Sequence, residues 1–189
     1  MKTEIIVITD RSGSMITIAN DVIGGYNTFI QEQQKVPGEA RVTFTQFDTE
    51  YEVIYAGKIL TSVPILDNNT FIPRGGTALL DAIGRTLNEQ GQRISSEDWA
   101  DLVIVCIITD GEENSSREFS RERIKEMTAH AEKTGWKFIY IGANQDSFQV
   151  AQGLGMNNAV TTNYVANASG TAEAYRGITQ SVTNLRTGN

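Results

Sequence analysis

This 189-residue chain has one cysteine, one histidine and three prolines. A lone Cys106 excludes an intramolecular disulfide and makes a thiolate metal site improbable, and its place within an apolar run makes it an expected core residue. His130 lies on a polar, helix-like stretch, where an exposed side chain is expected, and away from the serines that a serine hydrolase would need beside it. The N-terminus shows no basic segment followed by a long apolar core, so no leader is expected. No apolar run approaches the roughly 20 residues that span a bilayer. A soluble, cytoplasmic protein without membrane contact is the expectation. No Gly-x-Gly-x-x-Gly follows a strand-like run, which argues against dinucleotide binding. Positive charge is also scarce, with 16 Lys and Arg against 23 Asp and Glu and a net charge of -7. A phosphate backbone selects for clustered Lys and Arg, so nucleic acid is not an expected partner. The one basic cluster, Arg117 to Lys125, is interleaved with Glu118, Glu122 and Glu126 and is expected to be an ion-paired, solvated helix face.

The chain does have the profile of a folded protein, 40% hydrophobic and 21% charged, and residues 1–189 are expected to form one domain. Glu4 to Thr9 is a nearly continuous β-branched run of the kind buried on both faces of a parallel sheet. After a Ser-Gly-Ser turn, Met15, Ile18, Val22, Tyr26, Phe29 and Ile30 form one helical stripe. Gly24-Gly25 weakens that helix, and close packing against the sheet is the expected compensation. Arg41 to Phe47 and Tyr51 to Tyr55 predict a hairpin, the second run shorter, more exposed and at an edge. Residues 60–74 are irregular. A helical stripe through Leu80, Ile83 and Leu87 follows Gly75-Gly76-Thr77. Asp101 to Thr109 is the most apolar strand, Glu118 to Lys133 a charged helix, and Trp136 to Gly142 a strand. Phe148 to Leu154 reads as a short helix, Ala159 to Thr162 as a last strand and Ala172 to Leu185 as a terminal helix. Strands alternating with helices predict an α/β, Rossmann-like, doubly wound and mainly parallel six-stranded sheet, with one antiparallel edge strand and helices on both faces.

In such sheets ligands bind beyond the carboxyl ends of the strands, near the point where strand order reverses. Three polar clusters fall on that edge: Asp10 to Ser14, Gly75 to Thr77, and Thr109 to Glu113. Taken singly, each is an ordinary structural feature: a turn with a helix N-cap, a capped helix start, a tight turn. Together, in this order and on one sheet edge, they point towards a site. Asp10 and Asp110 should project from neighbouring strands, where like charges about 4 Å apart repel by about 4 kcal/mol at an effective dielectric near 20. A cation removes that penalty. Asp10, Ser12, Ser14, Thr77 and Asp110 offer only oxygen, which suits Mg²⁺, Mn²⁺ or Ca²⁺ over zinc. The hydroxyls fill coordination positions without cancelling the charge of the ion, which leaves it electrophilic towards an outside carboxylate.

These residues resemble the von Willebrand factor A-type, or integrin I-like, domain. That family's metal-ion-dependent adhesion site, Asp-x-Ser-x-Ser followed by a Thr and then an Asp, is matched by Asp10, Ser12, Ser14, Thr77 and Asp110. The stretches Asp-Arg-Ser-Gly-Ser-Met, Arg-Gly-Gly-Thr-Ala-Leu-Leu-Asp-Ala and Thr-Asp-Gly-Glu-Glu-Asn look like stand-alone bacterial and phage members. The resemblance implies that both serines coordinate directly, that Thr77 and Asp110 exchange direct for water-mediated contact, and that Asp10 acts mostly through water and hydrogen bonds. It also implies a non-enzymatic module that binds a protein through an Asp or Glu of the partner. Arg11, Arg74, Glu112, Glu113, Asn144 and Gln145 are expected to ring the ion and read that partner. The alternative is a Mg²⁺-dependent phosphohydrolase of the haloacid-dehalogenase type, but its motif needs a second Asp two residues after the first, and Ser12 stands there. A subunit role in a larger ATPase or chelatase assembly stays open.

Overall fold

The computed structural model describes residues 1–143 and 145–189. Among them, six strands form one sheet in the order β3-β2-β1-β4-β5-β6. The strands are β1 (Lys2–Asp10), β2 (Glu39–Phe47), β3 (Tyr51–Ile59), β4 (Leu102–Thr109), β5 (Lys137–Ala143) and β6 (Val160–Tyr164). All pairings are parallel except β2 with β3. The architecture is the α/β, Rossmann-like sheet with an antiparallel edge that the alternation of patterns predicts. Strand order reverses between β1 and β4, and in open sheets of this kind the carboxyl ends at such a reversal form the crevice that takes ligands.

The continuous apolar runs follow from burial on both faces. In β1, Ile5 and Val7 point to one helical layer, and Ile6 and Ile8 to the other. The first layer consists of α1 (Ala19–Lys35) and α5 (Ala168–Thr187), which cover Val42, Phe44, Ile104 and Ile139. The second contains α2 (Leu79–Glu97), α3 (Arg121–Lys133) and α4 (Ser147–Gly153), packed over Phe47, Val105, Ile107 and Phe138. Cys106 is fully buried, and burial pushes its thiol up to about 12. His130 is exposed. No described helix is long and apolar enough to cross a membrane.

Several local expectations need correction. The stripe that begins at Met15 is not one α-helix: Gly13–Ile18 winds as a 3-10 helix, tightened by Met15 N–H donating to the Ser12 carbonyl at 3.0 Å, and α1 starts only at Ala19. The edge strand β3 is as long as β2, nine residues each, although more exposed. The terminal helix starts four residues earlier than its apolar stripe, because Asn167 caps it by accepting from Gly170 N–H at 2.8 Å.

Gly25 is tolerated in α1 for a reason other than contact with the sheet. A Cβ there would lie 2.3 Å from Cδ2 of the Tyr175 ring on α5, whereas a Cβ at Gly24 would meet nothing within 4 Å. Gly25 therefore sets how closely α1 and α5 approach. Gly25→Ala is expected to destabilise the fold by about 1–3 kcal/mol through overpacking. Gly24→Ala should stabilise it by up to about 1 kcal/mol through helix propensity. Chemical denaturation of the two variants checks the pair, and equal shifts of the same sign would contradict this account of the helix contact.

Candidate metal centre

Each of the three polar clusters leaves the carboxyl edge of the sheet. Asp10 is the last residue of β1, paired across from Phe47 of β2, and Asp110 follows β4 directly. Asp10 is fully buried and Asp110 is 5% exposed. Asp10 accepts from Thr109 Oγ1 at 2.6 Å through Oδ2 and from Ser12 N–H at 2.6 Å through Oδ1. Burial outweighs these bonds and, helped by the neighbouring charge of Asp110, raises its pKa from 3.8 to about 6. Burial also raises Asp110, against a hydrogen bond from Ser14. Two desolvated carboxyl groups on adjacent strand ends are a costly arrangement unless a cation lies between them.

The hydroxyls are directed towards this charge. Ser12 precedes the 3-10 helix, yet its side chain makes no capping bond. Its Oγ lies 3.1 Å from Ser14 Oγ, which donates to Asp110 Oδ1 at 2.7 Å. Thr77 is not the cap of α2 either, since Ala78 holds that position. Gly111 faces both clusters: a Cβ on it would sit 3.4 Å from Thr77 Oγ1 and 3.9 Å from Ser14 Oγ. The Thr77 and Ser14 hydroxyls therefore both face Gly111, next to the Asp110 carboxyl group. Ser12, Thr77, Asp10 and Asp110 are buried, and Ser14 is exposed on the solvent side. Among the described residues, no three His, Cys, Asp or Glu side chains stand together as a metal group. A cation here would depend on the serines and the threonine as much as on the two carboxylates. The donor set is all oxygen and fits a hard divalent ion.

The loops are stitched to one another by the backbone. Arg11 N–H donates to the Phe47 carbonyl at 2.8 Å, Arg74 N–H to Arg11 O at 2.8 Å and Gly13 N–H to Gly75 O at 3.0 Å. Thr77 N–H donates to Asn114 Oδ1 at 2.9 Å, while Asn114 and Ser115 N–H return bonds to the Thr77 carbonyl.

Of the six residues expected at the rim, two turn inward. Arg11 is 3% exposed, its guanidinium bonded to Asp48 at 2.8 Å and to Glu52 at 2.6 Å, because a buried cation must be paired. Glu113 is engaged at the start of α2, where it accepts from Leu80 N–H at 2.9 Å and also from Ser115 and Ser116 N–H, a favourable place for a carboxylate at a helix N-terminus. Arg74 is half-exposed and paired with Asp48 and Glu50. Glu112 is exposed and Gln145 partly so, on the wall of a cleft of about 240 Å³ that Arg121 also lines. Asn144 lies outside the described residues.

Three roles escape a sequence reading, although Thr109 itself falls within one of the polar clusters. Thr109 ends an apolar strand and holds the buried Asp10 carboxylate. Asn114 fixes the backbone of Thr77. Asp48, in what reads as a plain hairpin turn, ties two loops together. The only sequence signal for Thr109 and Asn114 is their position beside Asp110-Gly111.

No protein-family model and no curated protein sequence matches the chain. Solved structures do match its fold. The PilB minor pilin from Streptococcus sanguinis superposes with a TM-score of 0.68 at 14% identity, over 97% of this chain and 61% of that one. Proximal thread matrix protein 1 from the mussel byssus, in a form with a zinc-occupied metal-ion-dependent adhesion site, gives 0.66 at 14% identity, over 96% and 46%. A von Willebrand factor type A protein from Catenulispora acidiphila gives 0.62 at 15% identity, over 94% and 42%. The chain thus spans roughly half the length of these proteins, and what it shares with them is the von Willebrand factor A-type fold.

Proposed function

We propose that this chain is a divalent-cation-dependent protein-binding module without catalytic activity of its own. The observation that carries the reading is the chain of hydroxyls from Ser12 through Ser14 to the buried Asp110 carboxyl group, with Thr77 Oγ1 facing the adjoining Gly111 and neither the Ser12 nor the Thr77 side chain used to cap a helix. Ser12, Ser14, Thr77 and Asp110 would hold the ion, and Asp10 would orient Ser12 through its backbone N–H and take up charge through Thr109. When bound, the ion supplies a positive centre whose remaining position takes an Asp or Glu carboxylate from a partner protein. The likeness in fold to a protein with a zinc-occupied site of this type supports a divalent ion, and the all-oxygen donors favour Mg²⁺ or Mn²⁺. Arg74, Glu112 and Gln145 would contact the partner. The phosphohydrolase alternative gains nothing from the geometry: Ser12 occupies the place of the second carboxylate, and its hydroxyl lies against Ser14.

Millimolar Mg²⁺ or Mn²⁺ should raise the melting temperature at pH 7, by about 2.7 kcal/mol of stability when the ion stands at 100 times its Kd. Ser12→Ala and Asp10→Ala should remove the effect. In chelator, the raised pKa of Asp10 adds a pH signature. The folded state holds the Asp10 proton more tightly than the unfolded chain, so this contribution is complete below the unfolded value of 3.8 and is lost as pH rises through about 6. The loss amounts to about 3 kcal/mol relative to Asp10→Asn, and saturating Mg²⁺ should abolish it. Equal melting temperatures with ion and with chelator would contradict the metal reading.

Affinity capture from the source cell tests the module reading. Wild-type bait in Mg²⁺ should retain a partner that chelator releases and that Asp110→Ala bait never retains. A partner held equally in all three conditions would overturn recognition through the ion.

A further inference from the structure

Asp48 is fully buried in the turn between β2 and β3, yet it serves two cations and two loops at once. Its Oδ2 accepts from Arg11 Nε at 2.8 Å and from Arg74 Nε at 3.1 Å. Its Oδ1 accepts from Glu50 N–H at 2.7 Å, which fixes the carboxylate within its own turn. Its backbone carbonyl accepts from Ala78 N–H at 2.9 Å. Arg11 separates Asp10 from Ser12, while Arg74 and Ala78 bracket Gly75-Gly76-Thr77. Asp48 therefore grips the first loop between Asp10 and Ser12 and both ends of the loop that carries Thr77. Gly75, with φ of +66°, approaches the same turn: a Cβ there would meet Thr49 Oγ1 at 3.0 Å and Asp48 Cβ at 3.5 Å.

We propose that Asp48 is the positioning residue of the metal centre, holding the Asp10–Ser14 and Gly75–Thr77 loops at the separation at which Ser12, Ser14 and Thr77 share one cation. The inference rests on the metal reading above. Asp48 touches no candidate ligand side chain and acts through Arg11, Arg74 and the backbone at Ala78. Its charge also balances two guanidinium groups that would otherwise add positive charge beside the ion. Glu52 is a different kind of partner. It meets Arg11 at 2.6 Å but is half-exposed and belongs to β3, with no tie to the Thr77 loop.

The test is Mn²⁺ titration by calorimetry, with water-proton relaxation read on the same samples. Wild type is expected to bind one Mn²⁺. Asp48→Asn, which keeps the shape and the Glu50 bond, should bind at least about tenfold more weakly, as outer-shell variants of metal sites do. Its relaxivity per bound ion should rise, because water replaces a displaced hydroxyl, a change that a purely structural role would not produce. Arg74→Lys should weaken binding in the same direction, since one ammonium cannot serve Asp48 and Glu50 with the geometry of a guanidinium. Glu52→Gln should stay within about twofold, as expected for a partly exposed pair. A folded Asp48→Asn with wild-type affinity and relaxivity would overturn the proposal. If that variant does not fold, wild-type affinity in Arg74→Lys overturns it. Failure of wild type to bind Mn²⁺, or binding indifferent to Ser12→Ala, would overturn the metal reading and this inference with it, which separates the two failures.

Discussion

Two carboxyl groups buried at the ends of adjacent parallel strands are the constraint around which this molecule's upper edge is arranged. β1 and β4 are the central strands, apolar on both faces, and each delivers an aspartate at the point where strand order reverses. Both residues are buried, Asp10 fully and Asp110 nearly so, and burial holds both carboxyl groups above their usual range. A fold keeps such a pair only when something compensates it. Here Thr109 serves Asp10, Ser14 serves Asp110, and the Thr77 and Ser14 hydroxyls face Gly111 beside it.

The loops that supply the hydroxyls come from distant parts of the chain, and their mutual placement is the second half of the design. Backbone bonds join Arg11 to Arg74 and Gly13 to Gly75, so the Asp10–Ser14 and Gly75–Thr77 loops run together as a short ribbon. Asp48 and its two arginines brace that ribbon from below, and Glu113 and Asn114 brace Thr77 and α2 from the side of β4. These loops are thereby cross-braced without an ion, and bracing of this kind lowers the ordering cost of binding one.

Much of this is legible in the sequence because it rests on local rules. The run from Glu4 to Thr9 announces a strand buried on both faces, and Asp10, Ser12 and Ser14 follow it at a spacing that a tight loop can turn to one side. What is not legible depends on partners far along the chain. Arg11 looks like a loop-tip cation, but Asp48, 37 residues on, draws it inward. Glu113 looks like a rim acid until Leu80 N–H is found against it. Gly25 looks like a contact with the sheet, and only the placement of α5 reveals Tyr175 above it. Even the 3-10 turn at Gly13–Ile18 is hidden, since the hydrophobic spacing continues through it unbroken.

The central claim is that oxygen atoms from Ser12, Ser14, Thr77 and Asp110 surround one divalent ion. Anomalous diffraction from crystals grown with Mn²⁺ tests it most directly. The account predicts a single strong peak beside Gly111, within coordinating distance of the Ser12 and Ser14 hydroxyls. A peak confined to surface carboxylates elsewhere, or none beside Gly111 at saturating Mn²⁺, would contradict it.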